Sequence, residues 1–306
     1  MRLNAGSAIA PRMSATSKHA QALPSGFPAG LAAGSTEMFA NATPVVRRQL
    51  ATRDLSEGMA MWRLALTLGW LDIKLRYRGS VLGPFWLTLS TAVMVVAMGV
   101  LYATLFKMDL HAYLPYLALS LVLWNALSSM VAEACVAFTS AESTIRSMRM
   151  PFTLYGTRTI VRNALVLGHN VVVIVGVFAF FDTWPGFSAL AALPGLALWA
   201  VDGFAACMLL GAFCARFRDI PPIVGSIMQI AFFLTPVIWQ PQLIGAAVEY
   251  LVLNPFYPLL SIIRDPLLGV MPGGLVYFMA IFWSALLCGA AWVMFARVRG
   301  RLAFWV

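Results

Sequence analysis

Charge is what this chain has least of. Asp, Glu, Lys and Arg make up 11% of its 306 residues, where a soluble domain carries about a quarter. Hydrophobic residues make up 61%, and the mean hydropathy is +0.82. A water-soluble core cannot hide that much apolar surface, so lipid must cover most of it. Acid is scarcer than base, and the formal net charge is +9. No nucleic-acid recognition motif or soluble basic domain accompanies the surplus. It reads as anchoring at the cytoplasmic face of a membrane, and nucleic acid is not an expected partner.

Reactive side chains are equally sparse. Four cysteines (Cys135, Cys207, Cys214, Cys288) all lie in apolar stretches, with no C-x-x-C pair. That argues for small helix-packing residues and against disulfides or a zinc site. Three histidines occur, at His19, His111 and His169. G-x-x-x-x-G-K-[ST] is absent, so the chain does not hold ATP in a P-loop. G-x-S-x-G and H-E-x-x-H are absent too. With no nucleophile or metal cluster in view, the chain is expected to be no enzyme and to bind no cofactor itself.

Residues 1–56 contain no long apolar run and are rich in Ala, Ser, Pro and Gly. They read as a disordered tail, or as a start placed upstream of Met38 or Met59; a transit-like segment is the alternative. Residues 57–82 carry a helical pattern. Trp62, Leu66, Trp70, Ile73 and Tyr77 form one stripe, and Leu64, Leu68, Leu71 and Leu75 a second, with charges between them. Such a helix lies in the plane of the membrane interface.

A hydrocarbon core about 30 Å thick needs about 20 helical residues. Uncharged stretches of that kind recur six times. They are Pro84–Phe106, Ala112–Ala132, Asn163–Phe181, Thr183–Ala215 (with Asp202 inside), Ile220 to about Trp239, and about Gly273 to Ala296. With the N-terminus in the cytoplasm, 19 of the 21 Lys and Arg fall inside, leaving Lys107 and Arg264 outside. The expectation is an all-α integral membrane protein of six transmembrane helices with both termini cytoplasmic. Residues 297–306 are then a cytoplasmic tail.

The connection between the fifth and sixth spans is too apolar for a loop in water and too broken by Pro and Gly for one helix. It reads as two short re-entrant helices on the outer side. In the second connection Glu142 stands four residues before Arg146, Arg149 follows, and Pro151 stops the turn. This is either a rigid inward helix able to transmit force from a soluble partner or a solvated loop with anchoring charges. Glu133, Asp202 and His169 lie in or near spans. Each is a possible ion-coupling group, against pairing or hydrogen bonding within the bundle.

The order of these elements resembles the membrane subunits of type 2 ABC exporters, and most closely the permeases that export O-antigen, capsular or teichoic polymers. The matching stretches are DIKLRYRGSVLGPFW, the inward loop with RMPF, FLTPVIW (Phe233–Trp239) and NPFYPLLSIIRDPLLG (Asn254–Gly269). The resemblance covers about residues 57–300. It implies a homodimer in a bacterial inner membrane, each subunit carrying a separate cytoplasmic ATPase subunit, two copies in all, that binds the ATP and Mg. It implies that Asp72–Arg78 belong to the interface helix and that Glu142, Arg146, Arg149 and Pro151 form the coupling helix. It further implies that Pro241–Gly269 form the outer gate, with Asn254, Pro255, Phe256, Tyr257 and Arg264, and that the first and fifth spans line the path.

Aromatic faces hold sugar C–H surfaces without fixing register. Trp86, Tyr102, Phe106, Phe232, Phe233 and Trp239 are therefore candidates for contact with a sliding polysaccharide, against ordinary belt and core packing. Lys74, Arg76 and Arg78 would gather the pyrophosphate of a lipid-linked polymer, and membrane anchoring explains them equally well. Competing readings are a type 2 exporter of drugs or lipids and an ion-coupled secondary transporter.

Overall fold

The computed structural model describes residues 44–80, 83 and 85–306. Helices follow one another as α1 (Pro44–Ala60), α2 (Trp62–Arg76), α3 (Phe85–Phe106), α4 (Leu110–Cys135), α5 (Glu142–Ser147) and α6 (Phe152–Phe181). After these come α7 (Ala192–Arg216), α8 (Ile220–Leu234), α9 (Phe256–Leu267) and α10 (Gly274–Trp305). Short 3-10 turns precede α5 and α7, and a longer 3-10 stretch, Pro241–Leu253, precedes α9. Among the described residues there is no strand.

Five segments are long and apolar enough to cross a membrane: α3, α4, α6, α7 with its leading turn, and α10. Six were expected. The fifth, α8, has 15 residues, about 22 Å at 1.5 Å per residue, against a core of about 30 Å. It stops at Leu234 instead of near Trp239 because Pro236 bars the preceding residue from helical geometry. Thr235 is extended, with φ −92° and ψ 137°.

α4 is the central helix. Its apolar run is buried along Tyr113–Trp124, packed by α3, α6, α7, α8 and α9. A second core lies at the end where α1, α5, the start of α6 and the last turns of α10 meet. It contains Ala51, Phe138, Tyr155, Phe295, Leu302 and Val306. Arg216 of α7 lies over the Trp305 ring at this same end. This is the basic end of the molecule. α9 sits at the opposite end, tied to α7 by Trp199 Nε1 donating to the Leu259 carbonyl at 2.9 Å.

Several boundaries differ from expectation. Residues 44–56 were assigned to an unfolded tail but form most of α1. Their helix is held by tertiary contacts: Ala51 and Asp54 are fully buried. Residues 1–43 of that expected tail lie outside the described residues. The expected continuous helix over 57–82 breaks at Met61 and ends at Arg76. Its protein-facing side is Ala65, Gly69 and Ile73, of which only Ile73 belongs to either greasy stripe. A Cβ at Gly69 would stand 2.7 Å from Val161 Cγ1, so only glycine lets α2 approach α6 this closely. Trp62, Trp70 and Leu75 point outward and are more than half exposed, as an interfacial helix requires. The third span starts eleven residues early, at Phe152, because Arg158 and Arg162 are neutralised within the fold. Residues 297–305, expected as a tail, continue α10. The expected helix up to Pro151 ends at Ser147, and Pro151 is the N-cap residue of α6.

Candidate functional site

A groove of about 530 Å³ runs between α4 and α8, with Met94 of α3 at its edge. Its α4 wall carries Leu121, Trp124, Asn125, Ser128, Ala132 and Cys135; its α8 wall runs from Pro221 to Phe233. No lining side chain is charged. Asn125, Ser128 and Gln229 bring amide and hydroxyl groups into it. None of the three has a hydrogen-bond partner elsewhere in the described chain, and Asn125 and Gln229 are exposed. Asn125 lies ten residues from the end of α4, about 15 Å along the helix axis. At that depth an unpartnered polar group facing lipid is costly, so the groove suits water or a polar cargo.

Aromatic rings flank these groups. Trp124 lies 5.8 Å from Phe232 and 5.7 Å from Phe256, and Phe232 lies 5.2 Å from Phe233. Of the six aromatics singled out in the sequence, Phe232 and Phe233 line the groove. Trp239 is fixed beside it, its Nε1 donating to the Phe233 carbonyl at 3.1 Å. Trp86, Tyr102 and Phe106 of α3 do not line it. Tyr102 stacks on Phe106, which meets Tyr113 edge-on, and Trp86 is 58% exposed. Of the first span only Met94 reaches this groove. Trp124, Asn125, Ser128 and Gln229 were missed. The signal was present in Asn125 and Ser128, polar residues three apart on one helical face inside an apolar run. A larger cleft, about 790 Å³, lies between α3, α4 and α6. Its one polar lining residue is Thr88, which bonds the main chain of His169.

Beyond the groove the chain is held by an unusual knot. Residues 235–239 leave main-chain carbonyls free after α8 ends. Tyr113 donates to the carbonyl of Ile238, and Tyr116 to those of Pro236 and Trp239. Arg264 of α9, 1% exposed, donates to the Pro236 carbonyl at 2.8 Å, to Tyr116 Oη at 3.0 Å and to Asp265 at 2.8 Å. Asn254 donates to Thr235 Oγ1 and accepts from the Phe256 main chain, starting α9 directly after Pro255. Tyr257 is buried. The expected gate residues Asn254, Pro255, Phe256, Tyr257 and Arg264 are thus brought together at the groove's far end.

At the basic end a polar cluster ties α2, α4 and α6. Arg158 chelates Asp72 with Nε and Nη2. Glu133 accepts from Arg162 at 2.8 Å, Asn163 at 2.6 Å and Arg76 at 3.2 Å. Arg76 is therefore committed, while Lys74 and Arg78 are exposed and form no ion pair among the described residues. In the expected coupling helix Glu142 and Arg146 pair at 2.8 Å. Arg146 also donates to the Val306 main-chain oxygen at 2.7 Å, and Arg149 is exposed.

The three candidate coupling groups for ions are not gathered. Glu133 belongs to the cluster above. Asp202 of α7 is 4% exposed and accepts from Ser284 of α10 at 2.8 Å. His169 turns its Nδ1 to the Leu165 carbonyl of its own helix.

A scan against protein-family models finds no match. Among curated proteins the chain is similar to the O-antigen export system permease protein RfbA of Myxococcus xanthus. The two are 24% identical over 203 residues, covering 65% of this chain and 77% of the relative. Two permeases of the same description from Klebsiella pneumoniae are each 20% identical, over 196 and 193 residues. They cover 63% of this chain and 76% and 74% of their own lengths. These relatives bear out the resemblance to polysaccharide-export permeases.

Proposed function

We propose that this chain is the membrane subunit of an ATP-driven exporter that moves a polysaccharide, lipid-linked O-antigen or a capsular polymer, across the bacterial inner membrane. The observation that carries the reading is the α4–α8 groove. Three uncharged polar side chains without partners and a run of aromatic rings offer hydrogen bonds to hydroxyls and flat apolar faces to sugar rings. The similarity to O-antigen export permeases points the same way.

In this reading α8 and the extended residues 235–239 together make the fifth of six crossings. The basic end faces the cytoplasm, as the positive-inside rule asks. Two copies face each other across their grooves. Residues 241–267 form the outer gate, with the Arg264 knot as its hinge. The α5–α6 loop receives the ATPase subunit, which supplies ATP and Mg. Lys74 and Arg78, unpaired at the inner interface, gather the phosphate of a lipid-linked cargo.

The test is to coexpress the chain with an ABC ATPase subunit from its native host, and to delete its gene there. Copurification, with loss of surface polysaccharide on deletion, is expected. If the two proteins never associate and polymer still reaches the surface, the reading fails. Loss of lipid or drug efflux with intact surface polymer would reassign the cargo.

A further inference from the structure

The sequence offers no role for α1, yet its Asp54 is fully buried at a junction of three elements. Its carboxylate accepts from the main-chain nitrogens of Phe152 and Thr153 at 3.2 and 3.1 Å, which are orphan donors at the start of α6. It also accepts from Arg299 Nε of α10 at 2.8 Å. The Thr153 hydroxyl meets the main-chain oxygen of Asp54 at 2.8 Å. One turn on, Gly58 lies so close to Thr153 that a Cβ there would overlap its hydroxyl.

The elements on either side of the α5–α6 loop are thus tied to α10 and its end at two polar points. One is Arg146 of α5 to the main-chain oxygen of Val306, the residue that follows α10; the other is the start of α6, through Asp54 of α1, to Arg299. α10 is a single helix of 32 residues, about 48 Å long. Higher up, its Trp283 Nε1 donates to the Val252 carbonyl of the 3-10 stretch, and it packs against α9.

We propose that Asp54 is a positioning residue that joins the α5–α6 loop to α10, so that movement imposed on the loop is carried along α10 to the segment at the opposite end. The proposal rests on the exporter reading above, in which the loop receives the ATPase subunit. It assigns α1 to the drive machinery. A chain begun at Met59 would insert but would not couple.

The test uses the full chain assembled with its ATPase subunit in proteoliposomes. Assembly, ATP hydrolysis and polysaccharide exported per ATP are measured for wild type, Asp54→Asn, Arg299→Gln and Arg299→Lys. Arg299→Gln leaves the Asp54 bonds to α6 in place and puts an amide donor where the guanidinium stood, so it disturbs the junction less than Asp54→Asn; the unfolding midpoint of each variant is measured alongside. Export per ATP is expected to fall about tenfold in Arg299→Gln with hydrolysis unchanged, a coupling effect of ordinary size. Arg299→Lys, which keeps the cation, is expected to export as wild type does. Unchanged export per ATP in Asp54→Asn and Arg299→Gln overturns the joint while leaving the exporter reading intact. Loss of assembly in Arg299→Gln also overturns it, because the contact then serves docking. A wild-type assembly that exports nothing defeats the exporter reading, and this role falls with it.

Discussion

Replacing both Asn125 and Gln229 with Leu separates a transport groove from ordinary packing. Neither side chain has a hydrogen-bond partner in the described chain, so the double variant removes no internal bond. It also replaces two polar groups facing a groove at bilayer depth with apolar ones. Stability is expected to hold or rise slightly. Transport is expected to fall, because each amide contributes a net hydrogen bond of about 0.5–1.5 kcal/mol to a passing glycan. Losing two removes about 1–3 kcal/mol, roughly a 5- to 150-fold drop in export rate. The assay pairs surface polysaccharide, read with a lectin or antibody, with the unfolding midpoint of the purified protein in detergent. A lowered midpoint with unchanged export would refute the argument. It would show that the two amides hold protein to protein, either within the chain or between copies.

Three further outcomes follow from the polar contacts. Glu133→Ala leaves Arg162, whose side chain is 13% exposed, with only Asp72 at 3.3 Å. Breaking such a buried pair costs about 3–5 kcal/mol, and the lower figure is expected because one partner remains; a denaturant titration followed by tryptophan fluorescence measures it. Arg264→Ala takes the cation from Asp265 and leaves the Pro236 carbonyl and Tyr116 with only each other and Trp239, and a loss of about 3–5 kcal/mol is expected. Arg264→Lys recovers only part, since an ammonium cannot reproduce the guanidinium fork. Gly58→Ala places a Cβ 1.9 Å from Thr153 Oγ1 and 3.1 Å from the Leu154 nitrogen. α1 must then shift, at about 1–3 kcal/mol, with faster proteolysis around Met61 as the readout.

The sequence alone places a boundary where one residue type decides the outcome. Phe106 ends α3 as expected because Lys107 follows, and a charge within lipid is costly. It fails where the decision belongs to a distant partner. Arg158 and Arg162 looked like loop charges, yet they lie within α6 because Asp72 and Glu133 pair with them. Residues 44–56 looked structureless because no apolar stripe marks them; what holds α1 is Asp54, bonded to residues 98 and 245 positions away. The groove was half visible. Phe232 and Phe233 stood out as aromatics, but Trp124 could be assigned to it only once α4 and α8 were side by side.

From the order of residues alone came the membrane, the helical class and the basic character of one end. All three follow from the free energy of moving single side chains and peptide groups between water and hydrocarbon, a local quantity that sums along the chain. Which polar groups are spent on one another and which are left without a partner was decided by tertiary structure. Asn163 and Asn125 are the same residue type on two apolar helices, yet Asn163 donates to Glu133 while Asn125 faces the groove. Only the packing of α4 against α6 on one side and α8 on the other makes that distinction, because a hydrogen bond depends on where the partner is and not on what precedes it.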